Sequence, residues 1–308
     1  MKYVSLNTGA KMPVIGLGTF KSGAGEVYQA IRWALKLGYN HFDCAPIYGN
    51  QEEIGQAFYD AFKEDNLKRE QIFVTSKLWN DSHNPQDVLL ALEETLKQLN
   101  LEYLDLWLMH WPIAQKKGIS IPQSADDMIS LSQIPLSITY KQMEEAQKQG
   151  LTKAIGVSNF GQKNLEKIIS ECEIVPAVNQ IESHPYLVQT ELIDFCKKNM
   201  IAVTAYSPLG AGEHISQESL LEDNTIVEIA QKLNITPAQV LLSWQINRGV
   251  VVIPKSVHET RLKENLQALN VALDSEDMQK ISSLNKNHRY IDAKVFAYKD
   301  YTPDLIFA

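Results

Sequence analysis

The chain has 308 residues, a hydrophobic fraction of 44% and a formal net charge of −8, enough apolar material for one large α/β barrel or for two ordinary domains. The acidic balance and the lack of any Lys/Arg block argue against a nucleic-acid surface, and no apolar run is long enough to cross a bilayer. Cys44, Cys172 and Cys196 are odd in number and none stands at CxxC spacing, so neither a disulfide framework nor a cysteine-rich zinc site is indicated. With no apolar leader in MKYVSLNTGAKMP, a reduced, cytoplasmic protein is expected.

In chain order, Tyr3 to Leu6 and Met12 to Val14 flank Asn7, Thr8 and Gly9 and predict a small β-hairpin ahead of the main fold. Ile15 to Thr19 is a short strand, and an amphipathic helix from Glu26 to Leu37 follows, with Val27, Ala30, Ile31, Ala34 and Leu35 on one face. His41 to Cys44 ends a second strand, and Pro46, Gly49 and Asn50 mark a tight loop carrying Tyr48. Asn50 with Glu53 then reads as a capping box for a helix bearing Ile54, Ala57, Phe58, Ala61 and Phe62. Taken alone, that loop is a capping carboxylate and a surface phenol. At the carboxyl end of a parallel strand, however, Asp43 and Tyr48 stand where α/β folds place chemistry.

The alternation continues. A third strand, Gln71 to Ser76, runs into Lys77, and the helix after Asn84-Pro85 carries Leu89, Leu92, Leu96 and Leu99. Leu104 to Met109 is a fourth strand followed at once by His110. Trp111 to about Leu136 shows no persistent periodicity and reads as a long loop, a functional lid or a disordered stretch, after which Ser137 to Gln149 is helical. Lys153 to Val157, Ala177 to Ile181, Ile201 to Ala205 and Val250 to Ile253 are the remaining strands, ending near Ser158 and Asn159, Gln180, Tyr206, and Lys255. A second long loop runs from Leu209 to about Asp223, two helices follow before the last strand, and an irregular tail contains Tyr290, Val295, Phe296, Tyr298, Tyr301 and Phe307. No GxGxxG follows any strand, so a (β/α)8 TIM barrel with an N-terminal hairpin and long loops at its C-terminal face is expected, as one domain over residues 1–308.

A barrel brings the strand ends to one face. There a Lys77 ammonium, held by Asp43, would lower the pKa of the Tyr48 phenol, and a neutral His110 would orient a carbonyl oxygen beside it. The set lacks a nucleophilic elbow, a Cys–His pair and a dense metal cluster, so hydrolysis by either route would lack parts.

These residues sit in GLGTF, GYNHFDCAPIYGN, FVTSKLWN, LDLWLMHWP, IGVSNF, VNQIESHPY, AYSPLG and VVIPKS and before the run from Arg261 to Asn265. In that order the motifs resemble the aldo-keto reductases along nearly the whole chain. The resemblance implies an NADPH-dependent carbonyl reductase with Tyr48 as proton donor, Lys77 and Asp43 as its tuning pair and His110 as the carbonyl-orienting residue. It also implies that Tyr206 stacks on the nicotinamide, that Ser158, Asn159 and Gln180 hold the carboxamide, and that Gly18 and Thr19 approach the ribose and phosphate. Ser207 and Leu209 would begin the loop over the pyrophosphate, which looks shorter than in mammalian relatives. Lys255, Ser256, Arg261, Glu264 and Asn265 would hold the adenosine end, the two cations and hydroxyl suiting a 2′-phosphate better than a bare ribose hydroxyl. Phe20, Trp79 and Trp111, with tail residues Tyr290, Val295, Phe296 and Tyr298, would line an apolar substrate pocket.

Three positions depart from the family pattern: Cys44 for Thr, Gln51 for Glu and Phe20 for Trp. A monomer acting on a small carbonyl compound is expected, with no nucleic-acid or membrane partner and no metal. The competing readings are a nucleotide-binding sensor on the same barrel with little turnover, and a metal-dependent barrel hydrolase.

Overall fold

The computed structural model describes residues 1–210 and 219–308. The predicted loop after Leu209, and its expected shortness, therefore lie largely outside the described residues.

Among the described residues, eight parallel strands form one sheet: β1 (Leu17–Gly18), β2 (His41–Asp43), β3 (Phe73–Leu78), β4 (Leu106–Met109), β5 (Ile155–Ser158), β6 (Val178–Glu182), β7 (Ala202–Tyr206) and β8 (Val251–Val252). Each pairs with its neighbour in chain order. The sheet closes on itself where the Gly16 amide donates to Val252 O at 2.8 Å and the Val252 amide to Val14 O at 3.0 Å, so the expected (β/α)8 barrel forms. At this seam a Cβ on Gly18 would stand 2.6 Å from the carbonyl oxygen of Ile253, so closure itself demands glycine there.

The intervening helices are α1 (Glu26–Leu37), α2 (Gln51–Glu64), α3 (Pro85–Leu99), α4 (Leu136–Lys148), α5 (Gln162–Glu171), α6 (Thr190–Lys198), α7 (Asn224–Leu233) and α8 (Pro237–Asn247), with α9 (Glu259–Gln267), α10 (Ser275–Ser282) and α11 (Pro303–Ile306) after the last strand. The alternation along β4 shows how the core divides. Leu106 and Leu108 point into a barrel interior shared with Phe73, Val178 and Val251, while Trp107 and Met109 join the layer packed against the helices. The N-terminal hairpin, Tyr3–Ser5 against Lys11–Pro13, plugs the lower end with Leu6 and Met12.

Several strands run a residue or two further than their apolar runs. Lys77 pairs with Leu108 and Glu182 with Tyr206 inside the ladder, because backbone pairing is indifferent to the polar side chains that interrupt the hydrophobic pattern. Lys77, Ser158, Gln180 and Tyr206 consequently project from rigid strands and not from loops.

Three local expectations are overturned. Asn50 makes no side-chain cap on α2; its Nδ2 donates to Thr19 O at 2.9 Å, and the Glu53 carboxylate accepts from the Gly25 amide. The buried carbonyl at the end of the first strand needs a donor, whereas the solvated helix start can use water. The segment from Trp111 to Leu136 is not structureless, since Ala114–Gln115 pairs antiparallel with Met128–Ile129. Two-residue strands are too short to show alternation. The tail likewise contains a 3-10 turn, Lys294–Phe296, and the short α11.

His41 and His83 are both buried. Burial pushes the His41 imidazole down to about 4 and His83 to about 3. Both therefore stabilise the fold fully above the unfolded value of about 6.5, and that contribution is lost as pH falls toward 4, on the order of 3 kcal/mol for His41. Thermal melts are expected to show a steep fall in Tm across that acid window. His41→Gln should flatten part of it, and an unchanged acid slope in a folded variant would contradict the assignment.

Candidate active site

The cluster at the barrel mouth is assembled from β2, β3, β4 and β6. Asp43 ends β2, and a 3-10 turn, Pro46–Tyr48, closed by Gly49 at φ 68°, brings Tyr48 back over it. Lys77 is 1% exposed on β3. Its Nζ donates to Asp43 Oδ1 at 2.5 Å, to Cys44 O at 2.9 Å and to Tyr48 Oη at 3.2 Å, which uses all three ammonium donors. The phenol oxygen is the acceptor in the last of these, so its own proton is left for another partner. The second Asp43 oxygen accepts from Gln180 Nε2 at 2.7 Å, across the barrel from β6.

Burial pushes the Tyr48 hydroxyl above its ordinary value, and the Lys77 ammonium offsets this only in part. The lowering expected from sequence is thus reversed, because desolvation of a phenolate outweighs one neighbouring ammonium already neutralised by Asp43. Tyr48 keeps its proton at neutral pH. Burial opposes the Lys77 charge as well, but Asp43 more than compensates and the amine is raised. His110, directly after β4, is held well below the ordinary imidazole value by burial and then by Lys77, and is neutral. Its Nδ1 is buried with no hydrogen-bond partner among the described residues. An orphaned acceptor is tolerated better than an orphaned donor, which favours the proton on Nε2.

The predicted carboxamide group is contiguous with this cluster. Asn159 Nδ2 donates to His110 O at 2.9 Å and to Ser158 Oγ at 3.2 Å, Ser158 Oγ donates to Gln180 O at 2.8 Å, and the Tyr206 hydroxyl donates to Asn159 Oδ1 at 2.7 Å. Among the described residues, Asn159 Oδ1 keeps a lone pair and Gln180 an N–H, an acceptor and a donor that complement a primary amide. Thr19 Oγ1 donates to Asp43 O at 2.8 Å, which ties the first strand end to the second. Ser207 adopts φ 48°, a left-handed conformation unusual for serine, just after β7, and the half-buried Leu209 packs against the core.

A second group lies after β8. Lys255 and Arg261 are exposed, Ser256 and Asn265 are buried and Glu264 is intermediate. Among the described residues no acid lies in ion-pair range of either cation, and no side chain caps the start of α9. Unpaired cations beside an open helix N-terminus form a donor set that fits a phosphate.

Of the predicted pocket residues, Trp79 and Trp111 come together with Phe296, whose ring lies 6.2 Å from Trp79 and 5.3 Å from Trp111. Trp79 also meets His110 edge-on at 5.0 Å. Phe20 is 48% exposed and contacts Tyr48 at 5.0 Å. Val295 is exposed, and Tyr290 packs against His184 and His288 in a different cluster from Trp79 and Trp111.

Three contacts of the site are not legible in the sequence. Gln180 holds Asp43, the Cys44 carbonyl holds Lys77, and the buried Glu182 carboxylate anchors the tail by accepting from the amides of Tyr290 and Ile291 and from His184 Nε2. A buried Glu at the end of a mostly apolar strand was the only available signal. Gln51, one of the departures, accepts from Ser76 and donates to Gln98. No group of three His, Cys, Asp or Glu among the described residues could hold a metal ion, and none of their helices is long and apolar enough to cross a membrane.

A protonated phenol, an ammonium, a carboxylate and a neutral imidazole thus stand together at the strand ends of a closed (β/α)8 barrel. The chain belongs to the aldo/keto reductase family, whose profile matches residues 14–286. It is 48% identical over 297 residues to aldo-keto reductase family 1 member A1 of Xenopus tropicalis, covering 94% of this chain and 91% of that one. It is 46% identical over 297 residues to the aldo/keto reductase slr0942 of Synechocystis, with the same coverage. The solved structure of the aldose reductase from Schistosoma japonicum superposes with a TM-score of 0.90 at 41% identity, covering 96% of each chain. Family membership supports reduction of small carbonyl compounds with a nicotinamide cofactor.

Proposed function

We propose that the protein reduces aldehydes or ketones to alcohols with NADPH, Tyr48 serving as the general acid. The observation that carries this is the threefold donation from Lys77, which locks the phenol oxygen as an acceptor and leaves its proton available. A bound reduced nicotinamide supplies the hydride for the carbonyl carbon. Nε2 of the neutral His110 donates to the carbonyl oxygen and orients it beside Tyr48. As negative charge develops on that oxygen, the Tyr48 proton moves to it, and the adjacent ammonium stabilises the phenolate left behind. Asp43 and Gln180 fix the ammonium.

Tyr206, Ser158, Asn159 and Gln180 hold the nicotinamide end of the cofactor; Gly18, Thr19, Ser207 and Leu209 the central part; and Lys255, Ser256, Arg261, Glu264 and Asn265 the adenosine 2′-phosphate end. Phe20, Trp79 and Trp111 form the apolar walls for the substrate. The reading takes residues 1–308 as one barrel domain, monomeric and cytoplasmic, consistent with three free cysteines.

A panel of aromatic and aliphatic aldehydes with NADPH is expected to show turnover that survives a chelator. Tight NADPH binding without turnover would favour the sensor reading, and ester or amide hydrolysis that a chelator abolishes, with no nucleotide oxidised, would favour a metal-dependent hydrolase. Arg261→Ala is expected to weaken NADPH about 10-fold or more while leaving NADH within about 2-fold, since only the former presents a 2′-phosphate. Equal losses, measured by titrating both nucleotides, would contradict the assignment.

A further inference from the structure

The aromatic walls at the mouth do not stand on the barrel alone. The short antiparallel pair Ala114–Gln115 and Met128–Ile129, with the chain between them, is called the lid hairpin; Trp111 lies three residues before its first strand, and the Trp79 indole N–H donates to Ser120 O, inside it, at 3.1 Å. The third ring, Phe296, comes from the tail. The packing of the three rings on one another therefore depends on how the lid hairpin is set against the tail.

One side chain sets that relation. Tyr301 is 1% exposed, and its hydroxyl accepts from the Ala114 amide at 3.0 Å and donates to Ile129 O at 2.8 Å. Ala114 and Ile129 are the facing residues of the two lid strands, so a single hydroxyl bridges both strands at their paired position. Lys299 adds a neighbouring bond, from Nζ to Met128 O at 3.2 Å. Without the hydroxyl, a buried amide and a part-buried carbonyl lose their shared partner together, which loosens the hairpin against the tail.

We propose that Tyr301 is a specificity-determining positioning residue, whose hydroxyl keys the lid hairpin to the tail and so fixes the spacing of Trp79, Trp111 and Phe296 for the apolar body of the carbonyl substrate. This rests on the reductase reading above. Tyr301 touches neither Tyr48, Lys77 nor His110 through any hydrogen bond among the described residues. It therefore acts on substrate fit and not on the proton donor.

The test is Tyr301→Phe, which keeps the ring that fills the cluster. Its KM for a bulky aromatic aldehyde is expected to rise about 5- to 20-fold, while KM for a short aliphatic aldehyde, kcat and NADPH affinity stay within about 2-fold. Amide exchange across residues 114–129 is expected to quicken in the same variant, a readout independent of turnover. Unchanged KM values with unchanged exchange, or an equal loss on both aldehydes, would overturn the proposal. Should Tyr301→Phe fail to fold, Lys299→Met carries the same paired readouts, with a smaller effect in the same direction. A wild-type protein that reduces no carbonyl would instead defeat the reductase reading, while faster exchange in the variant would still show the keyed lid.

Discussion

Tyr48→Phe is expected to lower kcat for carbonyl reduction by about 10²- to 10⁴-fold while leaving NADPH affinity and Tm nearly unchanged. The phenol donates no hydrogen bond to protein among the described residues; it only accepts one from Lys77. Removing the hydroxyl leaves one donor of the buried Lys77 ammonium unmatched while Asp43 and the Cys44 carbonyl keep the other two, and takes away the proton that reaches the developing alkoxide. The pH dependence should separate this role from a structural one. His110 is neutral and Tyr48 keeps its proton through the neutral range, so kcat/KM in the wild type is expected to be level from about pH 6 to pH 9. An inflection at the ordinary histidine value would mean that His110 is more solvated than its surroundings allow. Equal losses of activity and stability in Tyr48→Phe would point to a structural phenol.

Lys77→Met should do more damage, and of two separable kinds. The Asp43 carboxylate has 3% side-chain exposure and would lose its counter-ion, keeping only Gln180. Breaking a buried pair from one side costs about 3–5 kcal/mol. Activity should fall at least as far as in Tyr48→Phe, since the phenolate left after proton transfer would face burial with no compensating charge. The double variant Asp43→Asn with Lys77→Met removes the stranded charge and is expected to recover most of the stability, by chemical denaturation, without recovering turnover. Non-additivity of that size in stability but not in rate would place the pair's catalytic role in charge and not in packing. If the double variant were no more stable than the single one, Asp43 and Lys77 would not be the coupled pair described.

How far the sequence led depended on the range of the signal. Alternating apolar runs and helical faces, as at Val27, Ala30, Ile31 and Ala34, were readable because burial on one side imposes a period. Asp43, Tyr48, Lys77 and His110 could be gathered because a closed barrel takes every strand end to one face. What escaped was long-range. Gln180 reaches Asp43 from 137 positions away, and Asn50 abandons a local cap for the carbonyl of Thr19. The direction of the Tyr48 shift also escaped, because it depends on a burial that no local pattern encodes. The lid strands were hidden by their brevity, and Tyr290 was misplaced because aromatic residues in a tail look alike until the chain's path is known.

The most direct measurement is the fate of deuterium carried at C4 of reduced NADPH when the wild-type protein and an aromatic aldehyde are present. The label is expected on the carbinol carbon of the alcohol, on one face only, and Tyr48→Phe is expected to suppress the transfer while still binding the nucleotide. Aldehyde consumed without label in the product, or nucleotide bound and never oxidised against any carbonyl, would contradict that expectation.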